Sequence, residues 1–442
     1  MKSDGQVRVA IVGGGASGTI LAVQLARRGI RSALIDGSGR MGRGVAYSTK
    51  DDAHLLNVRA EVMGAFAGEA GDFADWLERR GDGGRRDFAR RRLFADYLGE
   101  LLDGAIRSGQ VEAVEATAVG AECRADGWHI ALDNGERLKA EALVLAIGNQ
   151  EPSSLRAFDG CGARYIGNPW GSQARAAVRD LVETGGSALL VGTGLTMVDL
   201  VLSLDAAGHD GRIVAISRRG QVPRSHAEFE PMPTEREKLP LGDLRSMFRW
   251  VRARGAEVGW RAAVDSLRPH SHAVWQALPF DQQERFMRHA RPWWDVHRHR
   301  IAPEVGATLA RLVAGGFLDI VAGRIVTATP AADGIDVEYR RRQAAQTRSQ
   351  RFSYVFNCTG PLQAIERTRD PLLRGLLEAG RIRPDQLGIG VAVDEHSRVE
   401  PLNRLWALGP LTKGRYWEIV AVPDISGQAA AVADDIAMEL GR

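Results

Sequence analysis

Gly13-x-Gly15-x-x-Gly18 with Asp36 behind it, and Gly192-x-Gly194 with Ser217, Arg218 and Arg219 behind it, are the two groups whose types and spacing fit a chemical task. Glycines so spaced let a backbone turn tightly and approach a pyrophosphate, whose charge then meets the unpaired N–H groups of a following helix. In the first group Gly13 serves the tight turn, Gly15 the approach to the pyrophosphate, and Gly18 the close packing of helix on strand. Asp36, 23 residues after Gly13, is placed to accept hydrogen bonds from ribose hydroxyls. In the second group Met197 stands where a third glycine would be, so helix and strand should sit slightly further apart there. An acid at the end of the second strand would repel a 2′-phosphate; a hydroxyl and two guanidiniums would bind it. The spacing therefore predicts a dinucleotide on the first loop and NADPH on the second, the latter held by Gly192, Gly194, Thr196, Ser217, Arg218 and Arg219.

Such loops work only between a strand and a helix. The apolar run "VRVAIV" (7–12) precedes the first, "ASGTILAVQLARRG" follows at helical spacing, and "RSALI" leads to Asp36. "SALLV", "LTMVDLVLSLDAAG" and "GRIVAI" repeat that order around Gly192. Each unit is closed later by alternating runs and an apolar strand, the first ending at Gly148 and the second, through "FSYVFNCTGP", at Gly360. This duplication, the signature of flavoproteins that hold two nucleotides, predicts an α/β chain with two Rossmann-like dinucleotide-binding domains of the disulfide-reductase-like type, with FAD on the loop of Gly13, Gly15, Gly18 and Asp36. The FAD domain is expected in two segments, 1–165 and 351–442, with the NADPH domain between them at 166–350 and a helical insertion in the latter at about 227–305. The insertion holds five of the ten tryptophans, which suits a cover over the cleft. The C-terminal stretch reads as strand, turn and a helix from about Ser426, whose N-terminus would stabilise negative charge on a reduced flavin.

Composition narrows the classes. A net charge of +3 over 442 residues gives no basis for nucleic acid or a membrane surface as partner. Three widely spaced cysteines form no C-x-x-C and suit a reducing cytoplasm, and "MKSDGQ" leads straight into a strand without a leader pattern. No apolar run approaches the roughly 18 residues of a membrane span. His297 and His299 in "HRHR" point apart on a helix, so no metal is expected. The arginines of "RRDFARRR" read as a solvated helix face.

The segments "GRGVAYSTKDDAHLLNVRAEVM" (42–63), "DFARRRLFADYL" (87–98), "SRRGQVPRSH" (217–226), "WWDVHRHRIAP" (293–303), "FNCTGP" (356–361) and "GPLTKGRYWEIVAVPDI" (409–425) make the chain resemble one particular family. It comprises bacterial FAD/NAD(P)-binding proteins related to N-hydroxylating and Baeyer–Villiger (class B) flavin monooxygenases. Departures occur at Arg90 and Phe94, where proline and tyrosine are more usual, and at Asp424 and Ser426, in place of glutamate and arginine. The resemblance implies an FAD-dependent, NADPH-consuming monooxygenase acting through a C4a-(hydro)peroxyflavin and O2 on a small molecule such as an amine or amino acid nitrogen. It places His54, Leu56 and Asn57 beside the isoalloxazine and adds Gly44, Gly148, Gly409 and Ile425 to the FAD contacts, with Asn57 and Trp417 as catalytic candidates. The same elements also suit an NADPH-dependent flavin oxidoreductase that passes electrons to a non-oxygen acceptor, or an assembly or sensor protein that keeps FAD structurally. Self-association is left open.

Overall fold

The computed structural model describes residues 7–69, 71–401 and 404–441, so the "MKSDGQ" reading lies outside the described residues. Its strands are β1 (Val7–Val12), β2 (Ser32–Ile35), β3 (Val111–Val114), β4 (Ala118–Arg124), β5 (Gly127–Leu132), β6 (Arg137–Leu145), β7 (Tyr165–Ile166), β8 (Ala188–Val191), β9 (Ile213–Ser217), β10 (Leu318–Ala331), β11 (Gly334–Arg341), β12 (Arg348–Phe352), β13 (Tyr354–Asn357) and β14 (Leu405–Ala407).

They form two sheets on one plan. In the first, β3-β2-β1-β6-β14 run parallel and the β4–β5 hairpin extends from the N-terminal half of β6. In the second, β10-β9-β8-β13-β7 run parallel and β11–β12 extend from the far half of β10. Both parallel sheets are covered on both faces, and their central strands are accordingly continuous apolar runs rather than alternating ones. Helix Ala16–Arg27 and the C-terminal helix pack together over the first sheet; helices Leu195–Ala206 and Pro303–Ala314 cover the second.

The expected domain cuts need correction. The cut at 165/166 falls inside β7, and the cut at 350/351 falls inside β12; both strands belong to the second sheet, which ends only at Asn357. Parallel pairing of β13 with β8 is what draws 354–357 away from the first unit. The C-terminal helix also begins earlier than expected, at Val422 rather than Ser426, because Pro423 suits a first helical turn, where its missing N–H has no acceptor to lose.

The helical excursion spans Leu244–Arg298 as short helices with two small cores of its own. It leaves the second unit but lies on the C-terminal stretch of the first. Trp275 Nε1 donates to the Gly414 carbonyl at 2.8 Å, and Trp294 Nε1 donates to Glu418 Oε1 at 2.6 Å. The tryptophan enrichment thus reports an interface that needs both apolar area and a donor.

Candidate functional site

The two loops are built alike atom by atom. Gly13 N donates to the Ile35 carbonyl at 2.9 Å and Gly192 N to the Ile216 carbonyl at 2.8 Å. Ala146 N returns to Val12 and Cys358 N to Val191, both at 2.8 Å, so each closing strand is tied to its glycine strand in the same way. Gly13 and Gly192 have φ of +106° and +121°, and a Cβ there would lie 2.4 Å from the Ala146 carbonyl oxygen and 2.1 Å from that of Cys358. Glycine is required by the left-handed backbone and by the adjoining strand.

Each loop then opens a 12-residue helix whose N-cap is again glycine, Gly15 or Gly194. Neither helix has a side-chain cap, and neither has an acid in its first turn. The orphan N–H groups and the positive end of each helix are left for an anion, which is what a pyrophosphate needs. A Cβ on Gly194 would meet no atom within 4 Å, and one on Gly15 meets only the Gly44 backbone at 3.6 Å. The residues present therefore fit one dinucleotide on each loop.

Several expected residues do gather around the first loop. Asp36 Oδ2 accepts from Gly14 N at 2.8 Å and its Oδ1 from Ser38 N at 2.8 Å, so this carboxylate shapes the loop. Gly44 lies against Gly15, and Gly409 against Ser17 at the start of the helix. Gly148, at the first closure, has open space beside it.

Others are placed differently. His54 is buried; its Nδ1 accepts from Thr49 Oγ1 at 2.8 Å and its Nε2 donates to the Asp199 carbonyl at 3.0 Å. With both ring nitrogens committed to protein, it joins the two units instead of contacting the flavin through hydrogen bonds. Leu56 and Ile425 are core residues of the first unit, drawn inward by the apolar surface under the first helix. The Asn57 carbonyl accepts from His226 Nε2 at 3.0 Å, while its side-chain amide has no hydrogen-bond partner among the described residues. Trp417 stacks on Trp275 (centroids 5.1 Å apart) and meets Phe286 edge-on at 5.4 Å, and its buried Nε1 has no hydrogen-bond partner among the described residues.

On the second loop, Ser217 Oγ is 2.8 Å from Thr193 Oγ1 and accepts from Gly220 N at 3.0 Å. It holds the turn that presents Arg218 and Arg219, whose guanidiniums have no hydrogen bond or ion pair among the described residues. Thr196 sits half-buried in the first turn of the helix. Met197 is fully buried in the second core, so a side chain is accommodated where Gly18 stands in the first unit.

Sequence reasoning missed three features. Arg91, expected on a solvated face, makes a bidentate pair with Asp199 at 2.7 and 2.9 Å and joins the units at a mostly buried site. A basic run hides such a residue because its partner is 108 residues away. Lys413 Nζ donates to Asn149 Oδ1 at 2.9 Å, tying the C-terminal segment to the first closure; desolvation pushes its ammonium down to about 8. "HRHR" supplies two buried arginines, Arg298 and Arg300, while His297 Nδ1 donates to the Trp293 carbonyl at 2.7 Å. Among the described residues no group of three or more potential ligands could hold a metal ion.

His226 makes the crevice pH-sensitive. Burial pushes its imidazole down from 6.5 to about 4, against the raising effect of the Asn57 hydrogen bond. The unfolded chain therefore binds a proton between pH 6.5 and 4 that the folded chain refuses, so stability is full above pH 6.5 and falls towards pH 4. A His226→Gln protein is expected to lose less melting temperature between pH 7 and 4 than the parent. Equal losses would show that another group is responsible.

These features define a class: a two-dinucleotide α/β protein of the disulfide-reductase type with a helical cover. Residues 10–150 match the family model described as FAD-NAD(P)-binding. No curated protein matches the sequence. Among solved structures, the reduced form of ornithine hydroxylase from Pseudomonas aeruginosa is similar over 98% of this chain and 100% of its own, with 14% identity and a TM-score of 0.69. The Kutzneria sp. 744 ornithine N-hydroxylase complex with reduced FAD, NADP+ and L-ornithine covers 98% and 99%, at 16% identity and a TM-score of 0.67. The thioredoxin reductase of Lactococcus lactis covers 99% of both chains at 12% identity, with a TM-score of 0.55. At these identities the likeness is one of fold, and it agrees with the fold expected from the duplicated loops.

Proposed function

We propose that the chain is an FAD- and NADPH-dependent monooxygenase acting on a nitrogen of a small amine or amino acid. The observation that carries this reading is the pair of uncapped, acid-free helix N-termini, one on each glycine loop, in a fold shared with N-hydroxylating enzymes. When bound, FAD accepts hydride from NADPH and activates O2 for transfer of one oxygen atom to the substrate.

The chain's own residues bind, orient and exclude water. Gly13, Gly15 and Gly18 shape the FAD pyrophosphate seat, and Asp36 holds a ribose. Gly192 and Gly194 do the same for NADPH, and Arg218 and Arg219 take its 2′-phosphate. Asn57 offers a free amide at the junction of the two units. Trp417, with Trp275 and Phe286, forms an apolar wall that keeps water out, and its free Nε1 is a donor for a bound group. A cytoplasmic setting belongs to the same proposal, supported by the need for NADPH and by three free cysteines. Among the described residues no helix is long and apolar enough to cross a membrane.

The test is an anaerobic-then-aerobic flavin spectrum. NADPH is expected to bleach the flavin without oxygen, and air alone is expected to restore it, with product forming from one member of a panel of amines and amino acids. Restoration that requires an added quinone or protein acceptor would replace this reading with an oxidoreductase. Failure to bleach would leave a flavin-binding protein.

A further inference from the structure

Ten of the sixteen buried side-chain polar atoms that lack a hydrogen-bond partner among the described residues lie on just two stretches, 261–300 in and just after the helical excursion and 415–424 of the C-terminal segment. Buried polar groups are ordinarily satisfied, so such a concentration marks a place built for something other than the protein itself. Arginine nitrogens and the carboxylate oxygens Glu418 Oε2 and Asp424 Oδ2 are both among these atoms. Arg298, 8% exposed, lies 3.3 Å from Glu418, yet neither its Nε nor its Nη2 donates a hydrogen bond. Glu418 is also held by Trp294, and burial pushes the Asp424 carboxyl towards its neutral form. The Arg268 guanidinium has no hydrogen bond or ion pair among the described residues, although burial disfavours its charge; the carboxylates of Asp424, Asp265 and Glu418 act on it only from beyond ion-pair distance. His272 Nε2, also buried, has no partner.

A guanidinium cannot shed its proton, so an unpaired one in a desolvated place calls for an anion, and its planar fork matches a carboxylate. We propose that the seam between the helical excursion and residues 415–424 binds a carboxylate of the substrate, with Arg268 as its main partner and Arg298 and His272 beside it. The inference rests on the reading of this crevice as the substrate side of a flavin site. The first turn of the C-terminal helix, which carries Asp424, forms one wall. The dinucleotide phosphates have their own seats at the two glycine loops.

The experiment uses the FAD-loaded protein and three probes of one length: hexanoate, hexylamine and hexanamide. Trp294, bonded to Glu418, and Trp417 share one core cluster at this contact, so tryptophan fluorescence reads occupancy. Hexanoate is expected to change it saturably, with hexylamine and hexanamide at least ten-fold weaker. Arg268→Gln is expected to weaken hexanoate ten-fold or more, and Arg268→Lys, which keeps the charge without the fork, to weaken it less. Flavin content, NADPH-driven bleaching and the KM for NADPH should stay within two-fold of the parent in both variants. Equal binding of hexanoate and hexylamine, hexanoate binding unchanged in Arg268→Gln, or a ten-fold rise in the KM for NADPH would each overturn the proposal; the last would give Arg268 to the dinucleotide. If NADPH fails to bleach the flavin while hexanoate binding still depends on Arg268, the monooxygenase reading falls and the carboxylate site stands.

Discussion

The Gly18→Ala protein is expected to purify colourless, with bound flavin below about one-tenth of the parent's. A Cβ at Gly18 would lie 1.9 Å from the Gly13 carbonyl oxygen and 3.3 Å from Ile11 Cγ2. The first of these is backbone and cannot rotate away. Relief requires the helix to lift from β1, and that movement displaces the N–H groups of Gly15 and its successors from the pyrophosphate seat. Overpacking of this kind costs about 1–3 kcal/mol in stability. The seat suffers more than the fold, because aligned N–H donors tolerate little displacement. Gly104→Ala is the control: it lies in helix Arg91–Arg107, and a Cβ there meets no atom within 4 Å. That variant should bind flavin fully and gain roughly 0.5–1 kcal/mol from helix propensity. Flavin content and melting temperature of the two proteins decide the matter; a yellow Gly18→Ala protein with the parent's stability would refute the assignment of the first loop.

The second large effect is expected at the other loop. In the double variant Arg218→Glu, Arg219→Glu the KM for NADPH should rise on the order of 100-fold or more, while that for NADH should change little. Hydrogen bonds to charged groups contribute about 1.5–3 kcal/mol each, and the variant replaces two of them with repulsion. NADH carries no 2′-phosphate and is spared. The parent's preference for NADPH should also weaken as salt rises, since Arg218 is exposed and its field is screened. Steady-state bleaching rates with both nucleotides give the comparison. A KM for NADPH that moves less than three-fold would place the 2′-phosphate on other residues.

How far the sequence could be read differs from residue to residue for a physical reason. Gly13, Gly15 and Asp36 were legible because a strand, turn and helix within about 25 residues fix their relative positions almost without help from the rest of the chain. The turn of Gly192 and Gly194 was legible for the same reason. His54 and Arg91 were not. Both look like site or surface residues locally, and both are spent on the second unit's helix, His54 on the Asp199 carbonyl and Arg91 on the Asp199 carboxylate. Their roles depend on how two separately encoded units dock.

The fifth parallel strand of each sheet makes the same point. β14 joins β6 from the far end of the chain, and β7 joins β13 from before the second glycine loop. Hydrogen bonding between strands is blind to sequence separation, so no local pattern announces which short apolar run will fill that edge. The domain limits expected at 165 and 350 failed there, whereas the duplicated plan itself held.

By itself, the sequence determined the two glycine turns, each between a strand and a helix, since these follow from backbone sterics over short spans, and it placed Arg218 and Arg219 at the end of the second unit's strand. Tertiary structure alone decided which polar residues are consumed in joining the units and which stay unpaired in the crevice. Burial and pairing are properties of surfaces brought together across hundreds of residues. Arg268 shows the division plainly: in sequence it is one arginine among many, and only burial in the folded chain makes it a desolvated charge without an ion pair among the described residues.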